Sequence, residues 1–319
     1  MFSIIIPIYN VQNYLAECLE SIIQQADDIP IEVFLVDDGS TDLSGEIARK
    51  YANHYPNLFK YLKKENGGLS DARNFAIPCA THDYIFFIDS DDYIDGSALV
   101  SLKKIVEQHN PDLIIFDYYN AWADKKESVS ISNRNEGFIT VSDYLMMNPS
   151  AWNKIIKTKI LKENNILFPK GLWYEDRATT GCYINYCNTV YYCKLPLYYY
   201  RQRENSIMQQ LTYNPKMMDI MKAMDLFDKQ VSDALYKDEK EYLFISNLLF
   251  QHAIRMLPLK KYQETNDCFM QLHKRYPCWK NNKYYLQQSK GYKFFCCLVS
   301  RKFYFLARKI LEYRLRGGE

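Results

Sequence analysis

The chain has 319 residues, 48% of them hydrophobic and 24% charged, enough for one large domain or two modest ones around a substantial core. A formal net charge of +2 gives no support for a nucleic-acid partner. The nine cysteines lack the paired short spacings of a zinc site, and no His lies among Cys182, Cys187 and Cys193, so they read as reduced thiols of a cytosolic protein.

The opening MFSIIIPIYN has no basic leader and is interrupted by Pro7, so it reads as a strand over Phe2–Ile8 rather than a signal peptide. No uncharged apolar stretch reaches the roughly 20 residues that a membrane-spanning helix requires. Helical spacing follows over Asn13–Gln25, with Tyr14, Leu15, Leu19, Ile22 and Ile23 on one side. Ile31–Val36 is a second buried strand, closed by Asp37-Asp38-Gly39-Ser40, and a helix is expected from about Asp42. A short strand at Leu58–Leu62 leads through NGGLSDARN to a helix near Ala72. Tyr84–Ile88 is a strand, a helix runs from about Gly96 to His109, and Asp112–Phe116 is another strand. Apolar strands alternating with helices across short connections predict a parallel sheet covered on both faces, an α/β fold. Beyond Asn120 the alternation fades. Trp152-Asn153-Lys154 is expected to open a helix, FPKGLWYEDR to form a loop before a helix at Arg177, and Val190–Tyr192 and Leu197–Tyr200 to be strands. From about Ser206 the chain reads as helical.

In such sheets ligands bind outside the carboxyl ends of the strands, where both acidic clusters fall. Asp89 and Asp91, two apart in extended chain, would leave the same face and either coordinate a hard divalent cation or serve turn chemistry, with Asp92 or Asp95 capping the helix that begins near Gly96. Asp38 either accepts hydrogen bonds from a nucleobase or ribose or belongs to a turn in which Asp42 caps the next helix. Tyr9 offers an aromatic face beside it. Gly67 and Gly68 would permit close backbone approach to a ligand, and Arg73 is either a diphosphate partner or a surface residue. Asp176, beside Glu175 and near Trp173 and Tyr174, is either a helix cap or a partly desolvated general base.

Taken in order, SIIIPIYN, VDDGSTD, NGGLSDARN, IDSDD, and WNK followed by YED resemble a family 2 glycosyltransferase of GT-A fold, over about residues 1–203. The later part, through YYYRQRENS, is similar to bacterial enzymes that build capsule, exopolysaccharide or lipopolysaccharide chains. The resemblance implies a catalytic domain over 1–205, with a nucleotide-binding half (1–117) and an acceptor and base half (118–205), then a helical region over 206–319. It implies that Tyr9 and Asp38 contact the base of a UDP-sugar, with Pro7, Gly68 and Arg73 lining the nucleotide pocket and Arg203 near the diphosphate. Asp89-Ser90-Asp91 would be the Asp-x-Asp motif, Asp91 the direct ligand of Mn2+ or Mg2+ and Asp89 near the ribose and metal. Asp176 would be the catalytic base of an inverting transfer, with Glu175 orienting a substrate. The chain shows no Gln-x-x-Arg-Trp motif of processive synthases, which implies addition of one sugar to a surface-polysaccharide acceptor, itself carried on a polyprenyl diphosphate.

Over 291–316, Val299, Phe303, Leu306, Ile310 and Tyr313 form an apolar stripe in a single expected helix, with Arg301, Lys302, Arg308, Lys309 and Arg316 mostly off it. Such a helix either packs on the protein or lies on an anionic membrane surface, which would place the protein on the inner face of the cell membrane. A phosphoacceptor signalling domain would be far shorter and carry its acidic pair after the first strand. A dinucleotide dehydrogenase would carry a glycine-rich turn where PIYN stands. A catalytically silent sugar-nucleotide binder of the same fold is the remaining alternative.

Overall fold

A computed structural model describes residues 1–27, 29–203 and 212–316, without the side chains of 314–316. The expected start of the helical region at Ser206 and the side chain of Arg316 lie outside the described residues. The chain divides into two compact units, Met1–Ser206 and Ile207–Glu319.

The first unit is built on a ten-stranded sheet. In chain order its elements are β1 (Phe2–Ile8), α1 (Leu15–Ile23), β2 (Ile31–Asp37), α2 (Ser44–His54), β3 (Phe59–Lys63), α3 (Leu69–Ala76), β4 (Tyr84–Phe87), β5 (Tyr93–Ile94), α4 (Ala98–His109) and β6 (Leu113–Ala121). Then come β7 (Lys126–Val129), β8 (Gly137–Ile139), α5 (Val141–Leu145), β9 (Lys154–Lys157), α6 (Thr158–Glu163), α7 (Glu175–Thr179) and β10 (Val190–Arg201). The central path is β3-β2-β1-β4-β9-β6-β10-β5. β1 is buried at every position, as a middle strand covered on both faces must be. In α1, Leu15, Cys18, Leu19 and Ile22 are buried, the one-sided stripe that its spacing predicts.

The sheet is mixed rather than purely parallel. β1 to β4, β6 and β10 share one direction, whereas β9 lies antiparallel between β4 and β6. This corrects the expected helix at Trp152-Asn153-Lys154: the three residues lead into β9, and the helix begins only at Thr158. Because β9 runs backwards, its first residues sit at the edge where β4 and β6 end. The two expected tyrosine-rich strands are one strand, β10, interrupted by irregular register around Pro196.

Glu32 ties three neighbouring segments beneath this sheet. Its carboxylate accepts from Ser3 Oγ on β1 (2.7 Å), from Thr81 N (2.6 Å) and Oγ1 (2.7 Å) before β4, and from Lys60 Nζ on β3. Burial alone would raise its pKa, but these donors outweigh it and hold the group at about 2.

In the second unit the helices are α8 (Asp219–Gln230), α9 (Asp233–Phe244), α10 (His252–Met256), α11 (Tyr262–Arg275), α12 (Lys283–Leu286), α13 (Lys290–Ser300) and α14 (Tyr304–Arg316), with a π-helical stretch at Ile245–Gln251. Met224, Phe227, Leu248, Leu249, Met256, Leu272 and Val299 are fully buried. The buried Lys240 Nζ joins α8 to α9, donating to Asp228 O (2.8 Å), Val231 O (2.6 Å) and Asp233 Oδ1 (2.6 Å). The expected single tail helix is two. Lys302, at φ 63°, breaks it between α13 and α14, and Val299 leaves the expected stripe for the core. Among the described residues no helix is long and apolar enough to cross a membrane.

Glu32→Gln should lower the free energy of unfolding by about 2 kcal/mol at pH 7, measured by urea denaturation. A depressed carboxyl pKa stabilises the fold fully above the unfolded value of 4.5 and loses that contribution as pH falls toward about 2. The gap between wild type and variant should therefore narrow over that window.

Candidate active site

Three parallel strands end on a common edge and deliver the first half of the site. β1 ends at Pro7-Ile8, followed by Tyr9, which is 48% exposed. β2 ends at Asp37, whose carboxylate accepts from Tyr61 Oη (2.6 Å) and Ser40 N (2.9 Å) and so shapes the turn. Asp38 is buried, and its two oxygens accept from Gly67 N (2.9 Å) and Gly68 N (2.7 Å), with Lys64 Nζ on Oδ1. Gly68 has φ 87°, which favours glycine, and it is the residue from which α3 starts. Asp38 thus fixes the glycine loop beside Tyr9. Asp42 accepts from Ser44 N (2.9 Å), the first residue of α2, and from Gln12 N (3.1 Å), a local turn contact ahead of the helix, whose N-cap is Leu43 and not Asp42.

β4 stops at Phe87, and residues 89–92 form a turn closed by Asp92 N donating to Asp89 O (3.0 Å). The expected extended geometry therefore does not hold, and each carboxylate goes its own way. Asp89 Oδ1 meets Arg73 Nη2 at 2.8 Å, and Asp91 Oδ2 meets Arg203 Nη2 at 2.5 Å. Ser90 is buried between them in sequence. Asp92 is 1% exposed and accepts from Tyr198 Oη (2.8 Å) and Arg201 N (2.7 Å), so it anchors the end of β10 rather than capping α4. Burial, then Asp91 and Asp89, push its pKa well above the usual carboxylate range. Asp95 holds the entry to α4 through Ser97 N (2.9 Å) and Oγ (2.7 Å).

The second half of the site arrives from the loop before α7. Asn74 on α3 grips Phe168 through both backbone groups, at 2.9 and 2.7 Å, and Lys170 pairs with Asp71. Tyr174, at φ 65°, then turns the chain so that Glu175 and Asp176 open α7 in its first turn.

Arg73 joins the halves. It is 1% exposed, with its guanidinium carbon 5.8 Å from the Phe87 ring centroid and 5.1 Å from that of Phe168. Nη2 holds Asp89, while Nη1 reaches Asp176 Oδ1 at 2.8 Å and Glu175 Oε1 at 3.2 Å. Both terminal nitrogens are committed to protein carboxylates; the sequence, by contrast, suggested a diphosphate or solvent for this residue. Burial, then Asp176, raises the Glu175 carboxyl well above its ordinary range, with Arg73 pulling it back. Burial likewise raises Asp89 despite Arg73.

The far side of Asp176 is held by a turn that sequence reasoning missed. Asp176 Oδ2 accepts from Ala151 N at 2.9 Å. Trp152 stacks on Tyr198 (4.6 Å between centroids) and Tyr200 (5.2 Å), joining that turn to β10. The adjacent β-branched pair Ile155-Ile156 carried the strand signal, but four residues are too few to tell a strand from a helical turn.

The profile of "Glycosyl transferase family 2" matches residues 3–166. A glycosyltransferase of Streptococcus pneumoniae serotype 4, GlyG, is 31% identical over 252 residues, 74% of this chain and 81% of that protein. The chain spans 81%, 65% and 31% of the first three curated relatives it matches. Among solved structures, residues 1–349 of Staphylococcus aureus TarS in complex with UDP-GlcNAc superpose with a TM-score of 0.74 at 22% identity, over 99% of this chain and 92% of that one. A mannosyltransferase of Pyrobaculum calidifontis in complex with GDP-Man and Mn2+ gives 0.53 at 16% identity, over 97% and 86%. The fold is GT-A, and the chain belongs to glycosyl transferase family 2, whose members are inverting glycosyltransferases.

Proposed function

We propose that this glycosyltransferase moves one sugar from a UDP-sugar to a hydroxyl of a growing, lipid-linked surface polysaccharide, with Asp176 as base and Asp91, beside Asp89, as the seat of Mn2+ or Mg2+. The observation that carries this reading is the Arg73 fork: Asp89 and Asp176 each lie 2.8 Å from terminal nitrogens of one guanidinium. Donor-side and base-side carboxylates therefore share a single small site. The UDP-GlcNAc bound in TarS supports a uridine nucleotide, with Tyr9, Pro7 and the Asp38–Gly68 turn at the base.

The donor set suits a hard cation. Asp89 and Asp91 supply carboxylate oxygens, and a cation would take those not already held by Arg73 and Arg203. Among the described residues no group of three His, Cys, Asp or Glu side chains is placed to hold a metal, so diphosphate oxygens would complete the shell. When bound, the ion would neutralise charge on the leaving diphosphate. The protein's own part is different. Asp176 takes the proton of the acceptor hydroxyl while its oxygen bonds to the anomeric carbon, and the bond from that carbon to the diphosphate breaks on the opposite face. Such general-base help is worth around 10² to 10⁴ in rate.

The membrane reading of the tail rests on exposure. Phe294, Phe303, Phe305 and Tyr313 are 56%, 55%, 63% and 80% exposed, and Arg301 and Lys302 are exposed beside them. Aromatic side chains next to cations suit an anionic bilayer at the inner face of the cell membrane.

Asp176→Asn should reduce transfer at least about 100-fold and leave UDP affinity within about twofold, measured by product release and calorimetry. Full turnover in that variant would remove the base, and UDP binding that ignores both chelator and Asp91→Ala would remove the metal.

Arg73→Met should destabilise the fold by about 3–5 kcal/mol, because three carboxylates lose their shared cation, and Arg73→Lys should fall between. Urea midpoints equal to wild type would contradict the shared-cation role.

Arg301→Glu with Lys302→Glu should cut co-sedimentation with phosphatidylglycerol vesicles at least about tenfold and leave turnover on a soluble acceptor unchanged. Equal partition of the two proteins would eliminate the membrane contact.

A further inference from the structure

Lys154 is 2% exposed, and the ammonium group has no carboxylate among its hydrogen-bond partners. Its Nζ donates to three neutral oxygens: Asn148 O (2.7 Å), Ser150 O (2.5 Å) and Asn153 Oδ1 (2.7 Å). Burial without a carboxylate partner pulls its pKa well below the ordinary lysine range, with Asp176 pulling it back, and an apolar side chain would fill the same space more cheaply. The ammonium does one thing an apolar residue would not: it draws the carbonyls of residues 148 and 150 inward and closes the turn around Ala151. From the other side Thr180 Oγ1 donates to Pro149 O (2.7 Å), and the same hydroxyl lies 3.0 Å from Asp176 O. The turn clamped between them presents one amide to the site, Ala151 N–H, at 2.9 Å from Asp176 Oδ2.

We infer that Lys154 and Thr180 are positioning residues that seat the Asp176 carboxylate by clamping the 148–153 turn. Arg73 fixes Oδ1 and the turn fixes Oδ2, so the plane of the carboxylate is set from two sides and the free lone pairs keep a defined aim. A base must lie within hydrogen-bond reach of the proton it takes, and misplacement of about 1 Å can cost about 100-fold in rate. The inference rests on the assignment of Asp176 as base.

The test compares Lys154→Met, Thr180→Val and Asp176→Asn in the full chain. Each is measured for melting temperature, UDP affinity, KM for the donor, and kcat. The expected result is a fall in kcat of about 10- to 100-fold for Lys154→Met and about 5- to 10-fold for Thr180→Val, with donor KM and UDP affinity within about twofold of wild type. A folded Lys154→Met and a Thr180→Val that both turn over at the wild-type rate, beside an inactive Asp176→Asn, would overturn the clamp alone. An active Asp176→Asn would instead overturn the base assignment. If Lys154→Met fails to fold, Thr180→Val decides, and a rise in donor KM without loss of kcat in that variant would count against the clamp.

Discussion

One buried guanidinium makes this site possible. Asp89, Glu175 and Asp176 come from segments 16, 102 and 103 residues away from Arg73 in the chain, and without a shared cation their mutual repulsion would keep them apart. Arginine suits the task because its fork offers two terminal nitrogens at fixed angles, while its planar faces tolerate aromatic neighbours such as Phe87 and Phe168. The compensation is incomplete. Four carboxylates, counting Asp91, face two guanidiniums, those of Arg73 and Arg203. Burial pushes Glu175 and Asp89 toward their neutral forms, and the negative charge that remains is the feature on which the proposed divalent ion rests.

Much of the first half could be read in the sequence because its signals are local. β1, β2 and β4 are continuous apolar runs buried on both faces, and each is followed at once by the residues it positions: Tyr9, Asp38 and Asp89 to Asp92. The direction of a short strand is not local. β9 has four residues, and nothing in KIIK says that it will run against β4 and β6. The expected helix at Trp152 failed because so short a segment does not tell strand from helical turn, and without the strand and its direction the place of the 148–153 turn at the site edge could not be read.

The roles of individual side chains were hidden where they depend on pairing across the sequence. Asp92 looked like a helix cap because α4 starts nearby, yet its partners are Tyr198 and Arg201 on β10. Arg73 looked like a surface or phosphate-binding residue because the sequence placed it at the start of a helix near Ala72, whereas α3 starts at Leu69 and buries Arg73 in its last turn. The tail shows the opposite error. An apolar period of 4-3-4-3 is satisfied by a continuous helix, but a left-handed Lys302 divides it and sends Val299 inward, while Phe303, Leu306 and Tyr313 beyond the break stay exposed.

These differences divide along the two proposed substrates. The proposed donor side is assembled from parallel strand ends, whose geometry the sheet register sets within the first 92 residues. The side of the proposed base is assembled from a backward strand, an irregular loop and a short helix, held by Asn74, Arg73 and the amide of Ala151. The loop and short helix of that half, unlike β9, can change residues without disturbing the sheet, because side-chain contacts and not the strand ladder fix them to the first half. Variation in acceptor among chains that share this donor edge is the expected consequence, provided the guanidinium that joins the two halves is kept.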